Sequence, residues 1–212
     1  MYQLYYYPDN ASLAPHMVLE EIGAPFELLF LDRARNAHKA PGYLKLNPHG
    51  RIPTLVDGDV VLYEAAAICL HLADRHPGAG LAPAVGSVER AQFYKWLIYL
   101  TNTVQAEMSL YYYPHRWAGD EAGAASVKRR AEARMGEMFE RMEDGLAAGG
   151  PYLLGHRFSA ADLYLLMLAG WSRPFEQPAR TRPRLARLLE QVAARAAVQR
   201  AFSAEGMAAP YY

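Results

Sequence analysis

Cysteine is almost absent from this chain, and long apolar runs are absent altogether. Cys69 is the only cysteine among the 212 residues, which excludes an intrachain disulfide and a Cys-X-X-Cys redox centre. No stretch approaches the roughly 18 uninterrupted apolar residues of a membrane span, and residues 1–20 lack the basic start and apolar centre of a secretory signal. We therefore expect a protein of a reducing compartment, the cytoplasm, without a membrane partner.

An excess of charge of either sign is missing too. Lys and Arg together number 22, Asp and Glu together number 22, and the formal net charge is +0. Nucleic-acid binding relies on basic residues that neutralise phosphates, so we expect no nucleic-acid partner. The 7 histidines are scattered without the spacing of metal ligands, and we expect no metal.

The first third of the chain alternates between strand and helix patterns, which predicts mixed α/β structure. An aromatic run predicts a strand at 2–7, Ser12 opens a helix as a good N-cap, and 26–32 is typical of a second strand. The turn Asp57-Gly58-Asp59 separates two short apolar segments, which indicates a hairpin. An Ala-rich helix at 64–75 then completes a βαβ-ββα order.

The remainder of the chain shows helical patterns and no convincing strand. Ser159-Ala-Ala-Asp162 has the spacing of a capping box, which satisfies backbone N–H groups at a helix start. Helices are predicted at 88–113, 121–148, 162–171 and, as one or two helices, 184–202. The sequence therefore predicts an α/β domain at 1–77, a Gly- and Pro-rich linker at 78–87, and an all-α helical-bundle domain at 88–212.

Three features of the first domain have both a structural and a functional explanation. Ser12 can simply cap a helix, yet a helix start after a strand is also where α/β folds bind anionic groups. Glu64 at a helix start is favoured by the helix dipole, and could instead bind an ammonium group. Pro53 can simply begin a strand, where its missing N–H need not pair, and on frequency alone the Ile52-Pro53 bond is expected to be trans. Taken one at a time, these residues do not decide between the two explanations.

An aromatic cluster marks the second half of the chain, just past a helix that carries Gln105. The cluster consists of Tyr111, Tyr112, Tyr113 and Trp117. Three consecutive tyrosines cannot all point into a core, so at least one is expected to line a cleft or an interface. Plain packing stays open as the alternative.

Taken in order, these segments resemble the cytosolic glutathione transferase family over essentially the whole chain, closest to its bacterial beta class. The matching text is Ser12-Leu-Ala-Pro-His16, Asn47-Pro-His-Gly-Arg-Ile-Pro53-Thr-Leu, Glu64-Ala-Ala-Ala-Ile68, Tyr152-Leu-Leu-Gly155 and Phe158-Ser-Ala-Ala-Asp162. The resemblance implies a thioredoxin-like first domain, an all-helical second domain, glutathione as co-substrate and a homodimer.

The resemblance also implies roles for individual residues. Pro53 would be cis, and the backbone of Ile52 would pair with the cysteinyl part of glutathione. Glu64 would hold the γ-glutamyl end, and the backbone N–H of Ala65 would bind its carboxylate. The glycyl carboxylate would lie near Arg51, Lys39 and His38. A small apolar electrophile, the second substrate, would lie against Gln105, Tyr111, Tyr112, Tyr113 and Trp117.

Two positions depart from the family pattern. Ala11 stands where the beta class places its cysteine, so chemistry through a protein thiol is excluded at this site. Ala65 lacks the hydroxyl that most relatives carry after the binding glutamate, which predicts weaker glutathione binding. Activation of the glutathione thiol then falls to Ser12 or to Tyr6 at the end of the first strand. The alternative hypotheses are a glutathione-dependent isomerase, dehalogenase or disulfide reductase, or a non-catalytic ligand-binding protein.

Overall fold

A single four-stranded sheet forms from the first 63 residues of the computed structural model, which describes Met1 to Tyr212. The strands are β1 (Tyr2–Tyr6), β2 (Phe26–Phe30), β3 (Thr54–Asp57) and β4 (Val60–Tyr63), in the spatial order β2-β1-β3-β4. Strand β1 pairs with β2 in parallel and with β3 antiparallel, and β3 and β4 form the expected hairpin. Gly58 has φ +60 in the hairpin turn, a conformation that glycine adopts without strain.

The helices follow the predicted order closely. They are α1 (Leu13–Ile22), α2 (Pro41–Leu44), α3 (Ala65–Arg75), α4 (Val88–Ile98), α5 (Ala106–Tyr112), α6 (Glu121–Gly149), α7 (Ala160–Trp171), α8 (Pro183–Ala193) and α9 (Ala196–Ala204). None of them combines the length and the apolarity needed to cross a membrane. A mixed sheet domain followed by a helical domain confirms the predicted fold class.

The chain separates into two compact units. The first is Met1–Ala82 together with Ala193–Tyr211, and the second is Pro83–Val192 together with Tyr212. Helix α9 packs against α1 within the first unit, and the boundaries of 1–77, 78–87 and 88–212 stay a prediction. Its buried residues are Ala197, Val198, Ala201 and Phe202, which form one apolar stripe. A stripe shows that a helix is packed, but does not show against which partner.

Ion pairs fix α9 on α1. The Arg195 guanidinium donates to both carboxylate oxygens of Glu21, at 2.5 and 2.8 Å, and Arg200 Nε lies 2.6 Å from Glu20 Oε2. The first pair is bidentate, which adds orientation as well as attraction. The last helix of the chain is therefore part of the framework of the first unit.

The second unit is built around α7, which is buried over almost its whole length. Its start has the predicted capping box: Asp162 accepts from the Ser159 backbone at 2.8 Å, and Ser159 Oγ accepts from the Ala161 backbone at 3.3 Å. One prediction for this unit needs correction. The helix expected at 88–113 is interrupted by a π-helix at Tyr99–Gln105, where the Thr101 hydroxyl donates to carbonyls of the preceding turn.

Candidate active site

One edge of the sheet brings together several of the residues predicted for the site. Tyr5 of β1 pairs with Thr54 of β3, and Thr54 pairs in turn with Tyr63 of β4. The chain leaves β1 just after Tyr5, enters β3 just before Thr54, and leaves β4 just after Tyr63. The end of β1, Pro53 and Glu64 therefore lie side by side along this edge.

The turn that enters β3 has the geometry that the family resemblance implies. The Ile52–Pro53 peptide bond is cis, and both residues are buried. The carbonyl of Arg51 is held from two directions, by the Tyr43 hydroxyl at 2.5 Å and by Asn47 Nδ2 at 2.9 Å. Burial raises the pKa of Tyr43, which keeps its hydroxyl a donor. The backbone of Ile52 is thus presented on a fixed turn.

Glu64 occupies a strained position at the start of α3. Its φ is +74, a region that costs a residue with a side chain about 1–3 kcal/mol and that is enriched at functional sites. The side chain is exposed, and its carboxylate makes no hydrogen bond or ion pair within the chain. Ala65, the first residue of α3, is buried and directs its backbone N–H to the same helix start. A free carboxylate and free N–H groups are therefore adjacent.

The basic residues predicted for the glycyl carboxylate lie around one turn. Lys39 Nζ donates to the carbonyl of His49 at 3.1 Å. A Cβ on Gly50, which has φ +55, would lie 2.7 Å from the His38 carbonyl, so only glycine allows this close approach. Burial, then the charges of Lys39 and Arg33, lower the pKa of His38. Arg51, next in the chain, is exposed.

Ser12 is more deeply engaged than its sequence position indicates. It is fully buried, and its hydroxyl donates to the carbonyl of Tyr7 at 3.1 Å and accepts from the Tyr7 backbone N–H at 3.3 Å. It stands at the N-cap position of α1 but makes no capping hydrogen bond. The expected cap is therefore wrong in detail, because the hydroxyl closes the loop back onto the end of β1.

Tyr6 lies on the face of the sheet that α1 covers. Its ring centroid is 6.4 Å from that of His16 on α1 and 5.9 Å from that of Phe30. Burial, and then the nearby charge of Glu205, raise the pKa of the Tyr6 phenol. This environment opposes formation of a phenolate.

Sequence reasoning missed Glu205, which holds the loop between β1 and α1 from the other end of the chain. Its Oε1 lies 2.8 Å from His16 Nδ1, and its Oε2 accepts the backbone N–H of Asp9 at 3.1 Å. Asp9 has φ +52, so this contact fixes an unusual backbone conformation. No local pattern could have identified Glu205, because it follows Asp9 by 196 residues.

The aromatic cluster of the second unit divides into a buried and an exposed part. Tyr111 is 6% exposed, and its ring lies 4.5 Å from that of Phe175. Tyr112 and Tyr113 are 43% and 40% exposed, and Trp117 is 63% exposed. The expectation that the three tyrosines cannot all be core residues is met.

Individual contacts fix parts of this cluster. The Tyr112 hydroxyl donates to the carbonyl of Trp171, and the Arg116 guanidinium lies 4.2 Å from the Tyr113 ring centroid. Gln105 is not free to rotate, because its side-chain oxygen accepts from the Tyr164 hydroxyl.

No three His, Cys, Asp or Glu side chains lie together as a metal site would require. Burial raises the pKa of the Cys69 thiol.

Comparison with known proteins gives this arrangement a family. Residues 1–74 match the model of the glutathione S-transferase N-terminal domain, and residues 106–204 match that of the C-terminal domain. The chain is 36% identical to a glutathione transferase from Methylococcus capsulatus str. Bath, with a TM-score of 0.86 and coverage of 97% of this chain and 99% of that one.

Two further bacterial structures agree over similar lengths. A glutathione transferase homologue from Sulfitobacter, solved with bound glutathione, is 29% identical with a TM-score of 0.86, covering 98% and 99% of the two chains. A beta class glutathione S-transferase from Sphingomonas chungbukensis is 29% identical with a TM-score of 0.84, covering 97% and 100%. With both domains matched in order, the chain belongs to the glutathione transferase family.

Proposed function

We propose that this glutathione transferase adds the thiolate of glutathione to small apolar electrophiles. The proposal rests on the edge of the sheet where the end of β1, cis-Pro53 and Glu64 lie side by side. In the reaction, the thiol proton leaves to solvent and the sulfur forms a bond to an electrophilic carbon. With a halogenated aromatic substrate, the halide departs with its electron pair. With an epoxide, a C–O bond of the ring breaks and the oxygen takes a proton.

The dimensions of this edge suit a tripeptide. Strands β1 and β4 are two strand spacings apart, about 10 Å in total, and three extended residues span about 10 Å. The backbone of Ile52 would pair with the cysteinyl residue in the middle. Glu64 would bind the ammonium group of the γ-glutamyl end, and the N–H of Ala65 its carboxylate. The basic turn of Arg51, Lys39 and His38 would receive the glycyl carboxylate.

The energy needed to form the thiolate is modest. A thiol of pKa about 8.5 is about 3% ionised at pH 7, and lowering its pKa by two units takes about 2.7 kcal/mol. One hydrogen bond to a charged group gives about 1.5–3 kcal/mol, and a helix N-terminus adds about 0.3–1. A single donor at the start of α1 is therefore sufficient.

Of the two hydroxyls considered for this step, we propose that Ser12 matters more than Tyr6, and that it acts by holding the loop after β1, because its own proton is donated to the Tyr7 carbonyl. Ser12 lies in the loop that leads from β1 to the start of α1, whereas Tyr6 packs between His16 and Phe30 on the covered face of the sheet. Loss of Ser12 is therefore expected to weaken thiolate formation more than loss of the Tyr6 hydroxyl.

For the second substrate we propose a surface in the second unit. Tyr112, Tyr113 and Trp117 offer exposed aromatic area to an apolar molecule, and Tyr111 packs against Tyr112 from the core. Gln105, held by Tyr164, would present a fixed amide. Aromatic rings stack on flat apolar substrates, which favours aromatic electrophiles among those available.

We further propose a homodimer of the beta-class type in the cytoplasm. Helix α4 exposes a stripe that includes Val88, Tyr94 and Ile98, which are 78%, 41% and 59% exposed. Exposed apolar patches of this kind favour a subunit contact. A single buried cysteine is consistent with a reducing compartment. Ala11 stands where the beta class has its cysteine, so this chain would not share the cysteine chemistry of the beta class.

The experiment that tests the reaction class is a turnover screen with glutathione. Candidate substrates are halogenated aromatics, epoxides, peroxides, maleyl acids and small disulfides. Conjugate formation with the first two groups, followed by mass spectrometry of the thioether, supports the proposal. Turnover only of maleyl acids, peroxides or disulfides would show an isomerase or a reductase, and binding of glutathione without any turnover would show a ligand-binding protein.

A further inference from the structure

The loop between β1 and α1, residues 7–13, uses most of its hydrogen-bond donors within the chain. Backbone N–H groups that donate to acceptors in the chain are those of Tyr7, Asp9, Ala11 and Leu13. Pro8 has no N–H at all. A ligand at this loop therefore meets few free backbone N–H groups. A hydrogen bond from the loop to the ligand then depends on the side chains.

The Ser12 hydroxyl is not one of the free donors. A hydroxyl carries one proton, and that proton is directed to the Tyr7 carbonyl at 3.1 Å. The oxygen is 0% exposed and also accepts the Tyr7 N–H. Donation to a ligand would take this hydrogen bond from the Tyr7 carbonyl, which carries a free-energy penalty. Ser12 therefore stabilises the loop itself.

Asn10 has the opposite arrangement. Its side-chain oxygen accepts the N–H of Ala11 at 2.9 Å, which fixes the orientation of the amide, and its backbone carbonyl accepts the N–H of Leu13 at 2.9 Å. The side-chain Nδ2 carries two N–H groups, and neither has a partner within the chain. Asn10 is also partly exposed. Its amide is therefore an oriented side-chain donor of the loop that is available to a ligand.

The loop begins at the part of the site where the sulfur of glutathione is expected. Strand β1 ends at Tyr6, next to cis-Pro53 at the start of β3, because Tyr5 pairs with Thr54. On the proposed function, the cysteinyl residue of glutathione pairs with Ile52 at this place. Its side chain then extends toward the loop that carries Asn10.

We propose that the side-chain amide of Asn10 donates a hydrogen bond to the sulfur of bound glutathione and stabilises the thiolate. The inference rests on the proposed function. No proton is transferred by Asn10: the thiol proton leaves to solvent, and the N–H group favours the charged form that remains. Asn10 is then a catalytic residue, and Ser12 is a positioning residue that holds the loop against Tyr7.

The sharpest test is Asn10→Asp. The new carboxylate keeps the oxygen that accepts from Ala11 and replaces the donor by a negative charge. The pKa of bound glutathione, titrated through the ultraviolet absorbance of the thiolate, should rise by about one to two units. At pH 7, kcat/KM should fall about 10- to 100-fold, and raising the pH should restore much of it.

Two further variants at Asn10 and one control complete the experiment. Asn10→Ala should raise the thiol pKa less than Asn10→Asp, because it removes the donor without adding a charge. Asn10→Ser supplies a new donor and should recover part of the effect. Gln191→Glu, the same amide-to-acid change at an exposed position on α8, should leave the thiol pKa unchanged. Melting temperatures identify any variant that fails to fold.

The outcomes separate this inference from the proposed function. If the wild-type protein does not bind glutathione in calorimetry, both are overturned. If it binds glutathione with a depressed thiol pKa, and the Asn10 variants fold and keep that pKa, only the role of Asn10 is overturned. It is also overturned if Ser12→Ala alone raises the thiol pKa while the melting temperature stays at the wild-type value.

Discussion

The contact between Glu205 and His16 should be one of the largest single contributions to the stability of the first unit. Both side chains are 0% exposed, and their nearest atoms lie 2.8 Å apart. The same carboxylate also accepts the backbone N–H of Asp9 at 3.1 Å. Replacement of Glu205 by Ala removes both acceptors at once and leaves His16 Nδ1 buried without its partner.

The expected magnitude follows from this burial. A buried donor left without its acceptor costs about 1–3 kcal/mol, so the loss of both contacts should cost about 2–6 kcal/mol of the free energy of unfolding. For a chain of this length, each kcal/mol corresponds to about 2–4 °C in melting temperature. Glu205→Ala should therefore lower the melting temperature by about 4–24 °C.

A control on the same helix shows whether burial is the cause. Arg200 pairs with Glu20 at 2.6 Å, but these side chains are 54% and 16% exposed. Exposed pairs contribute about 0.2–1 kcal/mol, so Arg200→Ala should have a much smaller effect. In the double variant Glu205→Ala with His16→Ala, the losses should be less than additive, because the second change removes the group that the first left unpaired.

Urea unfolding followed by circular dichroism, with thermal melts as a second measure, tests these values. The reasoning is refuted if Glu205→Ala costs less than about 1 kcal/mol, or if it cannot be distinguished from Arg200→Ala. It is also refuted if the losses of the two single variants add fully in the double variant.

Three other predictions concern ligand binding, pH and assembly. Glu64→Gln keeps the shape and removes the charge, so calorimetry should show glutathione affinity reduced about 10- to 150-fold, and unchanged affinity would remove Glu64 from the site. Burial raises the pKa of Asp162 to about 6, so the folded state holds a proton that the unfolded chain releases near pH 4. The free energy of unfolding should then fall as the pH rises from about 4 to about 6; urea unfolding of Asp162→Asn should lack this fall, and an equal fall in both proteins would contradict the assignment. Light scattering at micromolar concentration should give twice the mass of the chain, and a monomer would argue against the homodimer.

The local features of the fold could be predicted because their causes lie within a few residues. The hairpin follows from Asp57-Gly58-Asp59, and the capping box from Ser159 and Asp162, since each depends on side chains next to the backbone they affect. The π-helix at Tyr99–Gln105 could not be predicted, because its residues have ordinary helical spacing. Thr101 does bond to the preceding turn, but a threonine on a regular helix can do the same.

The site shows the same division between local and distant causes. The sequence predicts Glu64 at its helix start, yet its positive φ and its place beside Pro53 depend on the pairing of three strands. The cis bond at Pro53 followed only from the family resemblance, because most bonds before proline are trans. The sequence predicts Ser12 as a cap, but the acceptor its hydroxyl uses is set by the path of the loop back to Tyr7.

The two segments of the first unit are separated in sequence and are therefore synthesised at different times. During synthesis, Met1–Ala82 leaves the ribosome first, and Ala193–Tyr211 follows after about 110 more residues have been translated. At about 5–20 residues per second, this takes roughly 5–20 s. Throughout that interval the surface of α1 that α9 later covers is open to water, to chaperones and to neighbouring nascent chains. A gene fragment that ends at Ala82 would keep that surface open permanently.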